Sequence, residues 1–272
     1  MASYLVTGVS RGLGFEFLRQ LSEDPNNVVV GLVRDKATTD KKVAAEINRP
    51  NIHIVQADLM DYDSLKKTVD VVDPIVNGSL DYIIANAGYI SNWSGFDPIG
   101  VLGDKDPKKL EADMLDSFRT NVIGNVHLFN LYMPLILKGR AKKVITISSG
   151  MGDIGLAREY KLALGAPYSI SKTAMNATTA KFHAQYADQG ILFLNICPGV
   201  VDTGVYDGIT EEQTKAVMGQ LAAFMVYSPR FKGPATPAES VEKILVQINK
   251  ASLEAGYGGE FISHLGKGEK WL

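Results

Sequence analysis

Short runs of β-branched and aliphatic residues alternate along the chain with stretches of helical periodicity, the pattern of βαβ units and a parallel sheet covered on both faces. The runs predict strands over Tyr4–Thr7, Val28–Val33, Ile52–Ala57, Tyr82–Ala85, Lys143–Ser148, Leu192–Cys197 and Gly259–Ile262. Between them, helices are predicted over Leu13–Leu21, Thr39–Glu46, Ser64–Val72, Leu110–Leu137, Pro167–Ala187 and Ala238–Lys250. Pro237 before the last of these and Gly256 after it punctuate it as a helix. The fold class expected is α/β: one Rossmann-type doubly wound parallel sheet of about seven strands, in a single domain over residues 1–272. Two stretches rich in Gly and Pro, 91–109 and 199–233, predict lid segments around a site.

Charge and composition narrow the partner. A formal net charge of -2 with no basic run argues against nucleic acid and against an anionic membrane surface. The uncharged run Thr120–Leu137 carries Asn121, Asn125, His127, Asn130 and Pro134, so it reads as a buried or amphipathic helix and not as a membrane span. Strand-like sequence from Ser3 onward leaves no room for a signal peptide, and a cytoplasmic location is expected. The single Cys197 fits a reducing compartment and reads as a small buried apolar filler. His53, His127, His183 and His264 lie far apart without metal-ligand spacing, so no metal is expected.

The segment Thr7-Gly8-Val9-Ser10-Arg11-Gly12-Leu13-Gly14 follows a strand and opens a helix. In that context a glycine-rich turn brings backbone N–H groups to a pyrophosphate at a helix N-terminus. Its spacing, GxxxGxG, is not the GxGxxG of the general dinucleotide fingerprint. The second strand ends in Val33-Arg34-Asp35, where the adenosine ribose normally lies. Val33 stands where a carboxylate would bind the ribose 2′-hydroxyl, and Arg34 beside it can pair a phosphate and stack on adenine. With Arg11 inside the glycine loop, this favours NADP(H); Asp35 weighs the other way, since it can bind ribose or pair with Arg34.

With these residues in place the chain resembles the classical short-chain dehydrogenase/reductase family, and further motifs follow in the family's order. Asp58-Leu59 resembles the adenine-ring contact, and Asn86-Ala87-Gly88 matches the NAG signature that supports the sheet and lines the cofactor cleft. Asn121, Ser149 and Tyr168-Ser169-Ile170-Ser171-Lys172 match the catalytic tetrad. Pro198-Gly199-Val200-Val201-Asp202-Thr203 matches the segment whose Val201 backbone and Thr203 side chain meet the nicotinamide carboxamide. The resemblance thus implies cofactor contacts at Gly8, Ser10, Arg11, Gly12, Leu13, Gly14, Arg34, Asp58, Leu59, Asn86, Ala87, Gly88, Tyr168, Lys172, Val201 and Thr203.

The chemistry explains the residue types. A phenol titrates near 10, too high for proton exchange at neutrality unless a nearby cation favours the phenolate. Lys172, four residues after Tyr168, shares its helical face. Ser149 would hydrogen-bond the substrate oxygen, and Asn121 would hold a water relaying protons to Lys172. Tyr62 and Lys66 form a second YxxxK, but no serine-bearing strand precedes them, so they read as a surface helix pair.

Eighteen residues, 150 to 167, separate Ser149 from Tyr168, more than is common in the family, so something extra covers the site. Gly259-Glu260-Phe261, followed by Gly268 and Trp271, resembles the ending of sniffer-like carbonyl reductases and of fungal norsolorinic-acid ketoreductase relatives. The expected function is therefore NADPH-dependent reduction of a carbonyl. The alternatives are an NAD(P)-dependent alcohol dehydrogenase working oxidatively, or a non-redox binding or dehydratase protein on the same fold. Trp93, Phe96, Met151, Ile154, Tyr206, Phe224, Met225, Tyr227 and Phe231 predict an apolar mouth suited to bulky hydrophobic or aromatic ketones. The helices Leu110–Leu137 and Pro167–Ala187 are those through which family members pair, which implies a homodimer or homotetramer.

Overall fold

The computed structural model describes residues 1–204 and 209–272. The strands are β1 (Ser3–Thr7), β2 (Val28–Val33), β3 (Ile52–Gln56), β4 (Tyr82–Ala85), β5 (Lys143–Ile147), β6 (Leu192–Cys197) and β7 (Phe261–Ser263). They form one seven-stranded sheet in the order β3-β2-β1-β4-β5-β6-β7, with every neighbouring pair parallel. The winding reverses between β1 and β4, whose register aligns Val6 with Ile84, and a crevice opens there beyond the strands' carboxyl ends.

Alternation along each strand divides the core in two. Leu5, Ile83, Val144 and Phe193 point to one face, where they pack with α3 (Tyr62–Ile75), α6 (Gly124–Ile136) and α8 (Ala166–Tyr186). Their neighbours Val6, Ile84, Ile145 and Leu194 point to the other face, against α1 (Gly12–Leu21), α2 (Lys36–Glu46) and α10 (Pro237–Lys250). Strands buried on both faces need apolar residues at successive positions, which is why their sequence lacks a polar alternation.

The expected long helix is in fact two α-helices joined by a π-helical segment: α5 (Pro107–Phe118), then Arg119–Ile123, then α6. A π segment inserts a residue into the helical ladder and is frequent at functional sites; here it contains Asn121. The two expected lids also carry helices that periodicity did not reveal. Residues 91–109 hold α4 (Ile99–Lys105) and the start of α5, and residues 199–233 hold α9 (Glu211–Tyr227). The apolar residues of α9 are not confined to one stripe, and of its described residues only Phe224 is buried, so no 3.6-residue periodicity marks it. Its start was legible as a capping box, Thr210 with Gln213. The extra residues after Ser149 form a 3₁₀ turn (Gly150–Gly152) and α7 (Ile154–Glu159). The last strand begins later than expected, because Gly258 and Gly259 pack against the His183 ring before the chain straightens. No described helix is long and apolar enough to cross a membrane.

Candidate active site

The crevice is a cleft of about 570 Å³ that runs from the end of β2 to the start of α8. Its floor is the glycine turn between β1 and α1. Gly8 has φ +72° and donates its N–H to Leu32 O at 2.9 Å, and a Cβ on Gly14 would overlap the Gly8 carbonyl oxygen. Asn86 locks this turn to β4: its Nδ2 donates to Thr7 O at 2.9 Å, while Thr7 Oγ1 accepts from Ala87 N, also at 2.9 Å. The first turn of α1 carries no acidic residue, so its N–H groups and partial positive charge face the cleft.

At the end nearest β2 the cleft is lined by Arg11, Arg34, Asp58 and Leu59. Both arginines are exposed. Asp35 caps α2, its carboxylate accepting from Thr38 N at 3.0 Å, and hydrogen bonds from the Thr38 side chain and backbone hold the carboxyl below its ordinary range. Leu59 is buried, and its carbonyl abuts Gly124 at the start of α6.

At the other end lie Ser149, Tyr168 and Lys172. Of the two serines that follow β5, both of which line the cleft, Ser148 is buried and donates to Asn176 Oδ1 at 2.6 Å, whereas Ser149 is only half-buried. Ser149 Oγ accepts from Met151 N at 3.2 Å and caps the 3₁₀ turn. Tyr168 sits in the first turn of α8, just after Pro167. The Lys172 Nζ lies 5.6 Å from the centre of the Tyr168 ring and donates to Ile147 O at 2.8 Å. Burial pushes the Lys172 ammonium down to about 8, partly opposed by the nearby Cys197.

Asn121 is buried beside them. Its Oδ1 accepts from Tyr89 N at 2.7 Å, and its Nδ2 donates to Tyr89 O and Ser171 Oγ, each at 2.9 Å. The side-chain amide is therefore engaged with protein groups, and it ties the turn after Asn86-Ala87-Gly88 to α8. Gly88 passes between Asn121 and Lys172: a Cβ there would lie 3.5 Å from Lys172 Nζ and 3.7 Å from Asn121 Oδ1. Val201 and Thr203 line the opposite wall, and the Thr203 methyl reaches over Gly12.

The apolar mouth is narrower than the sequence suggests. Phe96, Met151 and Phe224 line the cleft. Trp93 instead lies under Lys109, and Ile154 is 71% and Met225 55% exposed. Tyr227 packs on Tyr160, and Phe231 packs behind Phe224. Tyr206 lies outside the described residues. The wall is completed by Ile90, Leu164, Val217 and Gln220, which sequence reasoning missed because the helix and turn that aim them were not predicted. Cys197 is more than filler: its sulfur accepts the Gly150 N–H at 3.0 Å, and burial pushes its thiol up to about 11.

A family model described as short chain dehydrogenase matches residues 3–214. The short chain dehydrogenase virK of Hypocrea virens is 55% identical over 273 residues, covering 100% of both chains. The short-chain dehydrogenase/reductase iacC of Pestalotiopsis fici is 44% identical over 274 residues, again covering 100% of each. An NADPH-bound carbonyl reductase from chicken fatty liver has a TM-score of 0.78 at 25% identity, covering 100% of this chain and 99% of that one. The carbonyl reductase Sniffer of D. melanogaster shares the fold, with a TM-score of 0.76 at 24% identity over 98% of both chains.

Proposed function

The chain belongs to the short-chain dehydrogenase/reductase family, and from that premise we propose that it reduces a bulky hydrophobic or aromatic ketone with NADPH. The observation that carries the reading is the cleft itself. A cradle that only glycine fits and an open helix N-terminus lie at its floor, two exposed arginines at one end, and Ser149, Tyr168 and Lys172 at the other.

These residues suit a phosphorylated dinucleotide. Gly8, Ser10, Gly12, Leu13 and Gly14 would hold the pyrophosphate, Arg11 and Arg34 the 2′-phosphate, and Asp58 and Leu59 the adenine. Asn86, Ala87, Gly88, Val201 and Thr203 would flank the nicotinamide half. When bound, the nicotinamide supplies the hydride. The protein's part is placement and proton transfer. Ser149 Oγ donates a hydrogen bond to the substrate carbonyl oxygen and stabilises the negative charge that grows there. The Tyr168 hydroxyl delivers the proton to that oxygen. Lys172, close to the Tyr168 ring and fixed to Ile147 O, favours the resulting phenolate and reaches the nicotinamide ribose. Asn121 keeps the floor of the site in register by holding Tyr89 against Ser171.

Phe96, Met151, Leu164, Val217 and Phe224 give the substrate end an apolar wall, which excludes water from the hydride path and favours an apolar substituent on the ketone. A homodimer or homotetramer belongs to the same proposal, since Leu115, Phe118 and Ile170 are exposed on α5 and α8. A cytoplasmic setting does too. The test is NADPH oxidation, followed by absorbance, across a panel of aryl and alkyl ketones. NADPH binding without consumption on any of them would refute the reading in favour of a binding protein.

A further inference from the structure

The segment Lys270–Leu272 crosses the outside of the site and makes contacts with three separate elements. At the end of α9, Trp271 N donates to Tyr227 Oη at 2.9 Å, Lys270 Nζ donates to Tyr227 O at 2.7 Å, and Ser228 Oγ donates to Leu272 O at 2.9 Å. At the turn after β5, the Trp271 indole N–H donates to Asp153 Oδ2 at 2.8 Å. The base of the same side chain packs against Gly150, where a Cβ would come within 3.0 Å of Trp271 Cγ. Its ring stacks on Phe261 of β7 at 4.2 Å, which anchors the segment to the sheet.

These contacts converge on Ser149. The residue begins the 3₁₀ turn that ends at Asp153, and its hydroxyl oxygen accepts from Met151 N inside that turn. Gly150 is held from one side by the Trp271 ring and from the other by the Cys197 sulfur. Asp153 divides its carboxylate: Oδ1 caps α7 through Gly155 N and Leu156 N, and Oδ2 takes the indole. Trp271 thus grips both ends of the turn that sets the Ser149 hydroxyl, while its own N–H holds the helix that carries Val217, Gln220 and Phe224 into the cleft.

We propose that Trp271 is a positioning residue: through Gly150 and Asp153 it fixes the Ser149 hydroxyl, and through Tyr227 it fixes the apolar wall of α9 against the same point. The inference rests on the reading of Ser149 as the hydroxyl that meets the substrate oxygen. It assigns Trp271 no contact with cofactor or substrate; the adenosine end of the cleft is lined by other residues.

The test uses the full chain, NADPH and acetonaphthone, with Trp271→Ala, Trp271→Phe, Asp153→Asn, the Trp271→Phe/Asp153→Asn double variant and Ser149→Ala. Trp271→Ala is expected to lower kcat about tenfold to a hundredfold while the NADPH Kd stays within about twofold, since small misplacements at a reacting centre are costly. Trp271→Phe keeps an aromatic ring but loses the indole N–H, and Asp153→Asn keeps an oxygen for the α7 cap. Each is expected to lose roughly threefold to tenfold in kcat, and the double variant no more than the worse single one. Hydrogen exchange supplies a readout without turnover: residues 150–153 and the end of α9 should exchange faster in Trp271→Ala, with β1 and β4 unchanged. A kcat within about twofold of the parent, multiplicative losses in the double variant, or unchanged exchange would each overturn the proposal. If Trp271→Ala does not fold, the Trp271→Phe and Asp153→Asn pair decides. Undiminished turnover in Ser149→Ala would overturn the active-site reading together with this one; loss there without loss at Trp271 would overturn the positioning role of Trp271 alone.

Discussion

The Asp35 carboxylate accepts the Thr38 backbone N–H at 3.0 Å, and this bond draws it into the cap of α2 and away from Arg34. One oxygen of the carboxylate that argued for a ribose hydroxyl is thereby engaged in the cap, and no ion pair joins Asp35 to Arg34 among the described residues. Arg34 and Arg11 are left exposed on the cleft.

Cofactor preference follows from that arrangement. NADPH is expected to bind better than NADH by about 2–4 kcal/mol, the value of two charge-assisted contacts. Arg34→Ala should narrow the gap by weakening NADPH and leaving NADH nearly unchanged. Fluorescence titration with both cofactors checks this, and equal affinities in the parent protein would contradict it.

The two YxxxK motifs give a matched control. Tyr168→Phe removes one oxygen beside Lys172 and is expected to reduce kcat by about a hundredfold or more, with NADPH affinity and melting temperature little altered. Tyr62 is 45% exposed on α3 and packs edge-on to His127, so Tyr62→Phe should leave turnover unchanged. Steady-state kinetics on both variants settles the assignment: comparable effects would mean that the wrong tyrosine was chosen.

Substrate choice is expected to follow the wall made by Phe96, Met151 and Phe224. Acetonaphthone should show a higher kcat/KM than pyruvate or dihydroxyacetone. Phe224→Ala, which empties a buried position of that wall, should lower kcat/KM for the aromatic ketone by roughly tenfold, mainly through KM. A preference for the small polar carbonyls at saturating NADPH would refute the apolar-pocket reading.

Acid should act through His264. The ring is buried against Gly199, and burial, reinforced by Lys243, pushes its pKa from 6.5 down to about 4. Between those values the unfolded chain binds a proton that the folded chain does not. The stability is therefore fully present above about 6.5 and is lost as pH falls toward about 4. His264→Asn should flatten that limb, whose slope approaches about 1.4 kcal/mol per pH unit at most. Urea melts across the window test it; parallel curves for parent and variant would show that His264 does not titrate in this way.

The sheet was legible because its strands are apolar on successive residues and their order is marked by turns; most predicted ends agree with the observed ones within two residues. The glycine turn was legible for a stronger reason, since the close approach of Gly14 to Gly8 O admits no side chain, and such a constraint is written directly in residue type. The gathering of the candidate site was legible by residue kind and order: Asn121, Ser149, Tyr168 and Lys172 all lie at one end of one cleft or beside it.

What each side chain does was settled by partners distant in sequence. Asn121 turned out to hold Tyr89 and Ser171, and Cys197 to hold Gly150. Ile154 and Met225 proved exposed while Val217 entered the cleft, because helix orientation, not hydrophobicity, decides which apolar residue lines a wall. Trp271 lies 118 residues from Asp153, and no local pattern encodes that hydrogen bond. The sequence by itself determined the sheet, the turn chemistry and the residue types of the candidate site, since these depend on periodicity, steric room and local spacing. Tertiary structure alone decided which groups are free to act, because a hydrogen bond or a packing contact across the fold consumes a group that the sequence displays as available.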